Sequence, residues 1–187
     1  MSSQPQWWDS YPAPTTTPPV FGREELLRLF QTLGGDVLSA GLLLVDVRRT
    51  DYEGGLIKGS MNLPAHSFYL NRAPLYKLCL GDGVTGISRV VFFCGSCGSR
   101  GPRAAGWFAD YVAQRAQEDG IPESIKVYTL EGGIKGWVKG GPEYIQFMDA
   151  FEPTYWKPVE DQDSKQGDKP VAKPQGAPDS KSSEGAA

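Results

Sequence analysis

A three-layer α/β fold, with a central, mainly parallel sheet and helices on both faces, is predicted by three observations. Strand-like and helix-like segments alternate along residues 20–156, as crossovers between parallel strands require. The runs Leu42-Leu43-Leu44-Val45-Asp46-Val47 and Val90-Val91-Phe92-Phe93 are almost continuously apolar, the pattern of strands covered on both faces. The second run ends at a cysteine followed by a glycine- and serine-rich turn. A helix follows, and in open α/β sheets such strand ends are where ligands bind.

Each element has its own signal. Residues 1–19 hold five prolines and no periodicity, so they read as an extended Pro-rich lead-in, with Trp7 and Trp8 expected to dock on the chain's own domain. Leu26, Leu29, Phe30 and Leu33 fall at helical spacing and are closed by Gly34-Gly35. Ser60-Met61-Asn62-Leu63-Pro64 reads as a short strand, Val90–Phe93 as a central one. Pro102–Asp119 reads as a helix with Ala104, Ala105, Phe108, Ala109 and Val112 on one side. Lys126–Leu130 is a further strand, followed by the turn Glu131-Gly132-Gly133 and another helical stretch. After Trp156 there are no aromatics and few apolar residues. Residues 157–187 are therefore predicted to be disordered, leaving one domain over 20–156.

Composition narrows the function classes. A net charge of −3 gives no electrostatic reason to expect nucleic acid as a partner. No stretch is long and apolar enough to span a bilayer, and the opening MSSQPQWWDSYPAP lacks the marks of a secretory signal. Three cysteines, an odd count, fit a reducing compartment, cytoplasmic or nuclear, better than a disulfide framework. They lack the spacing of a zinc site, and His66 is the only histidine, so no metal or bound cofactor is expected.

The chemistry lies in Phe93-Cys94-Gly95-Ser96-Cys97-Gly98-Ser99-Arg100-Gly101-Pro102-Arg103. A helix N-terminus offers unpaired N–H groups and partial positive charge. The small residues Gly95, Ser96, Cys97, Gly98 and Ser99 let the backbone curl into an anion nest. Arg100 adds a planar fork for two oxygens of a tetrahedral oxyanion. Pro102 fits the first helical turn. The same field lowers a cysteine pKa from about 8.5 into roughly the 3.5–7.5 range, making Cys94 a thiolate nucleophile facing its electrophile. The competing reading is a buried strand-end cysteine beside an ordinary turn. The order strand, small-residue loop, Arg and helix start favours chemistry.

The run Cys94 through Arg100-Gly101-Pro102-Arg103 resembles the loop of the cell-division-cycle dual-specificity phosphatases and eukaryotic arsenate reductases, both built on the rhodanese fold. The segment from Tyr52-Glu53-Gly54-Gly55 to Asn62-Leu63-Pro64 is similar to that branch's entry motif. Asp46-Val47-Arg48 and Leu130-Glu131-Gly132-Gly133-Ile134-Lys135-Gly136-Trp137 resemble general rhodanese motifs. The resemblance implies a rhodanese-like domain with Cys94 as nucleophile, Arg100 as clamp, and a small oxyanion or a phosphorylated substrate. Five residues between Cys94 and Arg100, one more than sulfurtransferases typically have, resemble the phosphate- and arsenate-handling branch. The chain departs from that branch at Phe93, usually His, and at Cys97, usually Ser. It departs also at Val47, where the phosphatases carry a second Cys, and at Ser99, where they carry an acid.

With no carboxylate in the loop, no general acid for an alkyl or aryl leaving group is evident. The favoured expectation is a thiol-dependent arsenate reductase using glutathione or a glutaredoxin as reductant. The alternatives are a tyrosine or dual-specificity phosphatase passing through phosphocysteine, a thiosulfate sulfurtransferase carrying a Cys94 persulfide, and a non-catalytic rhodanese-like interaction module. Cys97 is either a resolving thiol for Cys94 or a small loop filler. Cys79 reads as core, and Asp46 as structural, holding a loop. His66 reads as structural, with nothing in the sequence tying it to the loop. Arg103 and Trp107 lie on the helix leaving the site, and Glu131 belongs to a turn with no required catalytic role.

Overall fold

Successive side chains of a strand point to opposite faces, and the central strands sort their residues accordingly. Leu43, Val45, Val90, Phe92 and Val127 enter one core, while Leu42, Leu44, Val91, Phe93 and Leu130 enter the other. The computed structural model describes residues 6–81, 86–120 and 122–157. In chain order the elements are β1 (Val20–Phe21), α1 (Arg23–Thr32), β2 (Leu42–Asp46), β3 (Leu56–Ile57), β4 (Met61–Asn62), α2 (Ala65–Phe68) and α3 (Arg72–Leu80). There follow β5 (Arg89–Phe93), α4 (Arg100–Asp119), β6 (Lys126–Leu130), α5 (Gly133–Lys139), α6 (Pro142–Ile145), β7 (Met148–Asp149) and α7 (Pro153–Trp156).

The main sheet has the order β1-β6-β5-β2-β4 with every pairing parallel, and β5 is central. Helices α2, α3 and α4 cover one face through Phe68, Tyr76, Cys79 and Phe108. Helices α1, α5 and α6 cover the other through Leu26, Phe30, Ile134, Trp137 and Tyr144. The predicted α/β architecture is therefore the observed one. Cys79 is 1% exposed, the core residue its Leu-rich surroundings indicate.

Three features were not legible locally. The short antiparallel pair β3–β7 joins Leu56 to Asp149 and Ile57 to Met148, and two-residue strands carry no periodicity. The expected strand over 60–64 contracts to Met61–Asn62, paired with Val45 and Asp46 of β2. The Leu63 amide adds a bond to the Asp46 carbonyl before Pro64, which has no N–H, ends the ladder. Helix α1 begins at Arg23, a turn before its apolar stripe, where its N-terminal amide meets the Glu131 carboxylate at 3.3 Å.

The Pro-rich lead-in packs on the domain from residue 6 onward. Trp7 stacks on His66 with ring centroids 4.2 Å apart, and Tyr11 stacks on Tyr69 at 4.6 Å. Trp107 Nε1 donates to the Pro12 carbonyl at 2.7 Å. The Asp110 carboxylate accepts the Thr15 and Thr16 amides at 2.7 and 2.9 Å. Gly106 makes this fit possible: a Cβ there would lie 2.7 Å from both Pro14 Cβ and the Thr16 carbonyl. The disordered tail expected over 157–187 lies outside the described residues beyond Lys157. No helix among the described residues is long and apolar enough to cross a membrane.

Candidate active site

The loop begins where β5 leaves the centre of the sheet. The Val47 amide donates to the Phe93 carbonyl at 2.8 Å, so the β2–β5 ladder continues to the residue before Cys94. Cys94 is 3% exposed. Burial alone would keep a thiol protonated, yet its pKa is lowered to about 6. The largest cause is the hydrogen bond from the Cys97 thiol, followed among the favourable ones by the Gly101 and Cys97 amides and the positive charge of Arg100.

Cys97 reaches Cys94 because its backbone is left-handed, with φ of 59°. A thiol has one proton. The Cys97 thiol lies 3.7 Å from the Phe92 carbonyl, but a thiolate is the stronger acceptor and draws the hydrogen bond to itself once Cys94 ionises. The adjacent thiolate and burial push the Cys97 pKa up, so Cys97 stays a donor while Cys94 is charged. Gly101 leaves room for the two sulfurs. A Cβ there would sit 2.7 Å from the Cys97 sulfur and 3.6 Å from that of Cys94.

The second wall is the N-terminus of α5. Its otherwise unpaired amides hold the loop from behind, Ile134 donating to the Cys94 carbonyl at 3.0 Å and Lys135 to the Gly95 carbonyl at 2.9 Å. Gly133 lies against those carbonyls with φ of 58°, and a Cβ there would collide with the Cys94 carbonyl oxygen. The Leu130–Trp137 motif thus shapes the loop, and Glu131 caps α1. The amides of Gly95, Ser96, Gly98 and Ser99 donate to no protein acceptor among the described residues. Ser96, Gly98 and Ser99 are exposed, so this row of donors opens to solvent beside a buried thiolate.

Arg100 is the first residue of α4, and its Nη2 lies 3.9 Å from where a Cβ on Gly95 would be. On the same side, the Lys135 Cε lies 3.8 Å from that point. The Nη1–Nη2 edge of the Arg100 guanidinium is held end-on by Asp51, Nη1 to Oδ1 at 2.7 Å and Nη2 to Oδ2 at 2.6 Å. Arg100 beside it holds the Asp51 carboxyl well below the usual carboxylate range.

Asp51 escaped the sequence reading. It lies 49 positions from Arg100, and only its place between the Asp46-Val47-Arg48 and Tyr52-Glu53-Gly54-Gly55 motifs hinted at a role. Those motifs position it. The buried Asp46 accepts the Arg48 amide at 2.9 Å and the Arg48 Nε at 2.8 Å. Arg48 in turn donates to the carbonyls of Glu53 and Gly55, each at 2.8 Å, and to that of Asp51 at 3.4 Å. Asp46 is therefore structural and holds a loop, as its setting indicates.

His66, which the sequence left unconnected, comes within electrostatic reach of the site. Burial first, then the charges of Arg49 and Arg100, lower its pKa, and its Nδ1 is buried without a partner among the described residues. Arg103 is packed between rings, 4.6 Å above Trp8 and 5.9 Å from Trp107.

Known proteins share this frame. A family model described as rhodanese-like domain matches residues 24–140. Arsenate reductase 2.1 of Oryza sativa subsp. japonica is 32% identical over 109 residues, 57% of this chain and 62% of the relative, so the chain spans less than two thirds of that protein. Among solved structures, Ygr203w, described as a yeast protein tyrosine phosphatase of the rhodanese family, matches with a TM-score of 0.61 at 24% identity, covering 76% of this chain and 99% of its own. The As-Sb reductase from Leishmania major matches with a TM-score of 0.50 at 20% identity, covering 79% and 97%. At such identities the two structures speak for the fold. The matched span runs from α1 through α5 and contains the whole Cys94–Arg100 loop, and the chain belongs to the rhodanese-like domain family.

Proposed function

We propose that this chain is a cysteine-dependent enzyme acting on a tetrahedral oxyanion, specifically a thiol-dependent arsenate reductase. The observation that carries the reading is the juxtaposition of a thiolate with four amides that have no protein acceptor among the described residues, closed by Arg100. Donors fixed before the reaction stabilise charge on the oxyanion without reorganisation.

Cys94 Sγ attacks the arsenic of dihydrogen arsenate, an S–As bond forms, an As–O bond breaks, and the departing hydroxyl takes the proton of the second arsenate hydroxyl and leaves as water. Glutathione or a glutaredoxin thiolate then attacks the Cys94 sulfur. The S–As electron pair stays on arsenic, arsenic(V) becomes arsenic(III), arsenite leaves, and a mixed disulfide forms on Cys94. A second thiol reduces that disulfide and restores the thiolate. Cys97 serves chiefly as the donor that holds Cys94 ionised.

Among the described residues, the carboxylate that meets Arg100 is not available as an acid, which supports this reading over the phosphatase. Asp51 is the carboxylate bound to Arg100, and its pairing keeps it ionised, so it does not protonate an alkoxide leaving group. Water leaving from arsenic needs no such acid. The curated relative's name points the same way.

The test is arsenate-dependent NADPH oxidation coupled through glutathione, glutaredoxin and glutathione reductase. The wild type should turn over and Cys94→Ser should not. Hydrolysis of an aryl phosphate without reductant, in place of that rate, would select the phosphatase.

A further inference from the structure

We infer that Asp51 is a positioning residue for Arg100, a fixed buttress that aims the free edge of the guanidinium at the oxyanion loop. This rests on reading Cys94 and Arg100 as an oxyanion site. It adds a residue that neither the loop nor the family motifs indicate.

A guanidinium has five N–H groups in a rigid plane. The end-on pair with Asp51 uses one on each Nη and leaves Nε–H and two others. The same Nη2 lies near Gly95 at the start of the loop, so the ring of donors bridges from Asp51 to the nest. Held in this way, Arg100 can present a side edge to a bound oxyanion without surrendering its carboxylate.

Asp51 is itself fixed. Its Oδ1 accepts the Arg49 amide at 3.1 Å, and its carbonyl lies 3.4 Å from Arg48 Nη1. Arg48 is 1% exposed and locked to the fully buried Asp46. A continuous chain of charge-assisted contacts therefore runs from the core under β2 to the mouth of the site. A carboxylate tethered at its own backbone is built to stay, unlike one on a free loop. Arg100, by contrast, is a long side chain at the first position of α4, with considerable rotamer freedom to lose on binding. A buttress removes that freedom before the anion arrives.

Simple electrostatics makes the opposite forecast. If Asp51 merely placed a negative charge near the anion, removing it would tighten binding. The sign of the effect therefore decides.

The experiment measures protection of Cys94 from iodoacetamide by inorganic phosphate, which reports anion binding without any turnover. Cys94 is the thiol that reacts, because Cys79 is pushed up to about 12 by burial and Cys97 is held protonated. The proteins are wild type, Asp51→Asn, Asp51→Ala, Arg100→Ala and the Asp51→Ala/Arg100→Ala double variant. Phosphate should bind Asp51→Ala about tenfold more weakly than wild type, with Asp51→Asn between them. In the Arg100→Ala background, loss of Asp51 should add no further weakening, since residues acting through one another are not additive. Melting temperature is measured alongside. A binding loss in Asp51→Asn at unchanged melting temperature separates positioning from a general weakening of the fold.

Equal or tighter phosphate binding by Asp51→Ala would overturn the inference, as would a further tenfold loss in the double variant. Absence of protection in the wild type would overturn the oxyanion-site reading and the inference with it. Protection in the wild type with no change in the Asp51 variants would overturn the inference alone.

Discussion

Replacing Cys97 with Ala removes the interaction that does most to hold Cys94 ionised. The side chain lost is small and its backbone conformation is kept, so the perturbation is close to the loss of one hydrogen bond. Hydrogen bonds to charged groups contribute about 1.5–3 kcal/mol. At about 1.36 kcal/mol per pH unit, the midpoint of thiolate formation should rise by about one to two pH units from the wild-type value near 6. At pH 6.5, roughly three quarters of wild-type Cys94 is thiolate, against between about a quarter and a thirtieth in the variant. The assay is the rate of iodoacetamide alkylation from pH 4.5 to 9.5, fitted for its midpoint. The midpoint is the quantity to compare, because a more basic thiolate is also intrinsically more nucleophilic. Cys97→Ser, which keeps a donor, should stay close to wild type. A Cys97→Ala midpoint indistinguishable from wild type would refute the reasoning and shift the credit to the loop amides and Arg100.

Gly133→Ala should drive α5 off the Cys94 and Gly95 carbonyls, lowering stability by about 1–3 kcal/mol and raising the Cys94 midpoint together; chemical denaturation and alkylation would both have to be wild-type-like to contradict this. Gly106→Ala should expel the lead-in from α4 at a cost of about 1–3 kcal/mol. Limited proteolysis should then cleave between Trp7 and Thr17 while the remaining domain persists, and an uncleaved lead-in would count against it. The Cys94 pKa of about 6 lies below its ordinary value of 9.0, so the thiolate's contribution is absent below 6, grows as pH rises, and is complete above 9. Between pH 6 and 8, wild type should gain roughly 2 kcal/mol of stability relative to Cys94→Ser, measured by urea unfolding under reductant. A constant difference across that range would show that the thiolate is not stabilised by the fold.

Much of the architecture was written locally. The apolar runs of β2 and β5 and the stripe of α4 are periodic or continuous over enough residues to reveal their burial. The Cys94–Arg100 loop announced itself because cysteine, small residues, arginine and helix start are adjacent in the chain. The Asp46-Val47-Arg48 motif was recognisable, and its structural role followed from a carboxylate ending a buried strand.

Other features depended on contacts between distant parts of the chain. Asp51 and Arg100 are 49 residues apart, and no periodicity connects them; the meeting requires β2 to pair with β5 in the register that sets Asp46 opposite Phe93. His66 entered the field of Arg100 through tertiary packing, with Trp7 stacked upon it. The Cys97 thiol meets Cys94 through one left-handed residue, a contact that spacing along the chain could not foresee. The sequence by itself determined the layers and the Cys94–Arg100 loop at the end of β5, because burial patterns and helix starts are properties of contiguous residues. Only the tertiary structure decided what holds Arg100 and what lowers the Cys94 pKa, because those forces act through space over a few ångströms, whatever the separation along the chain.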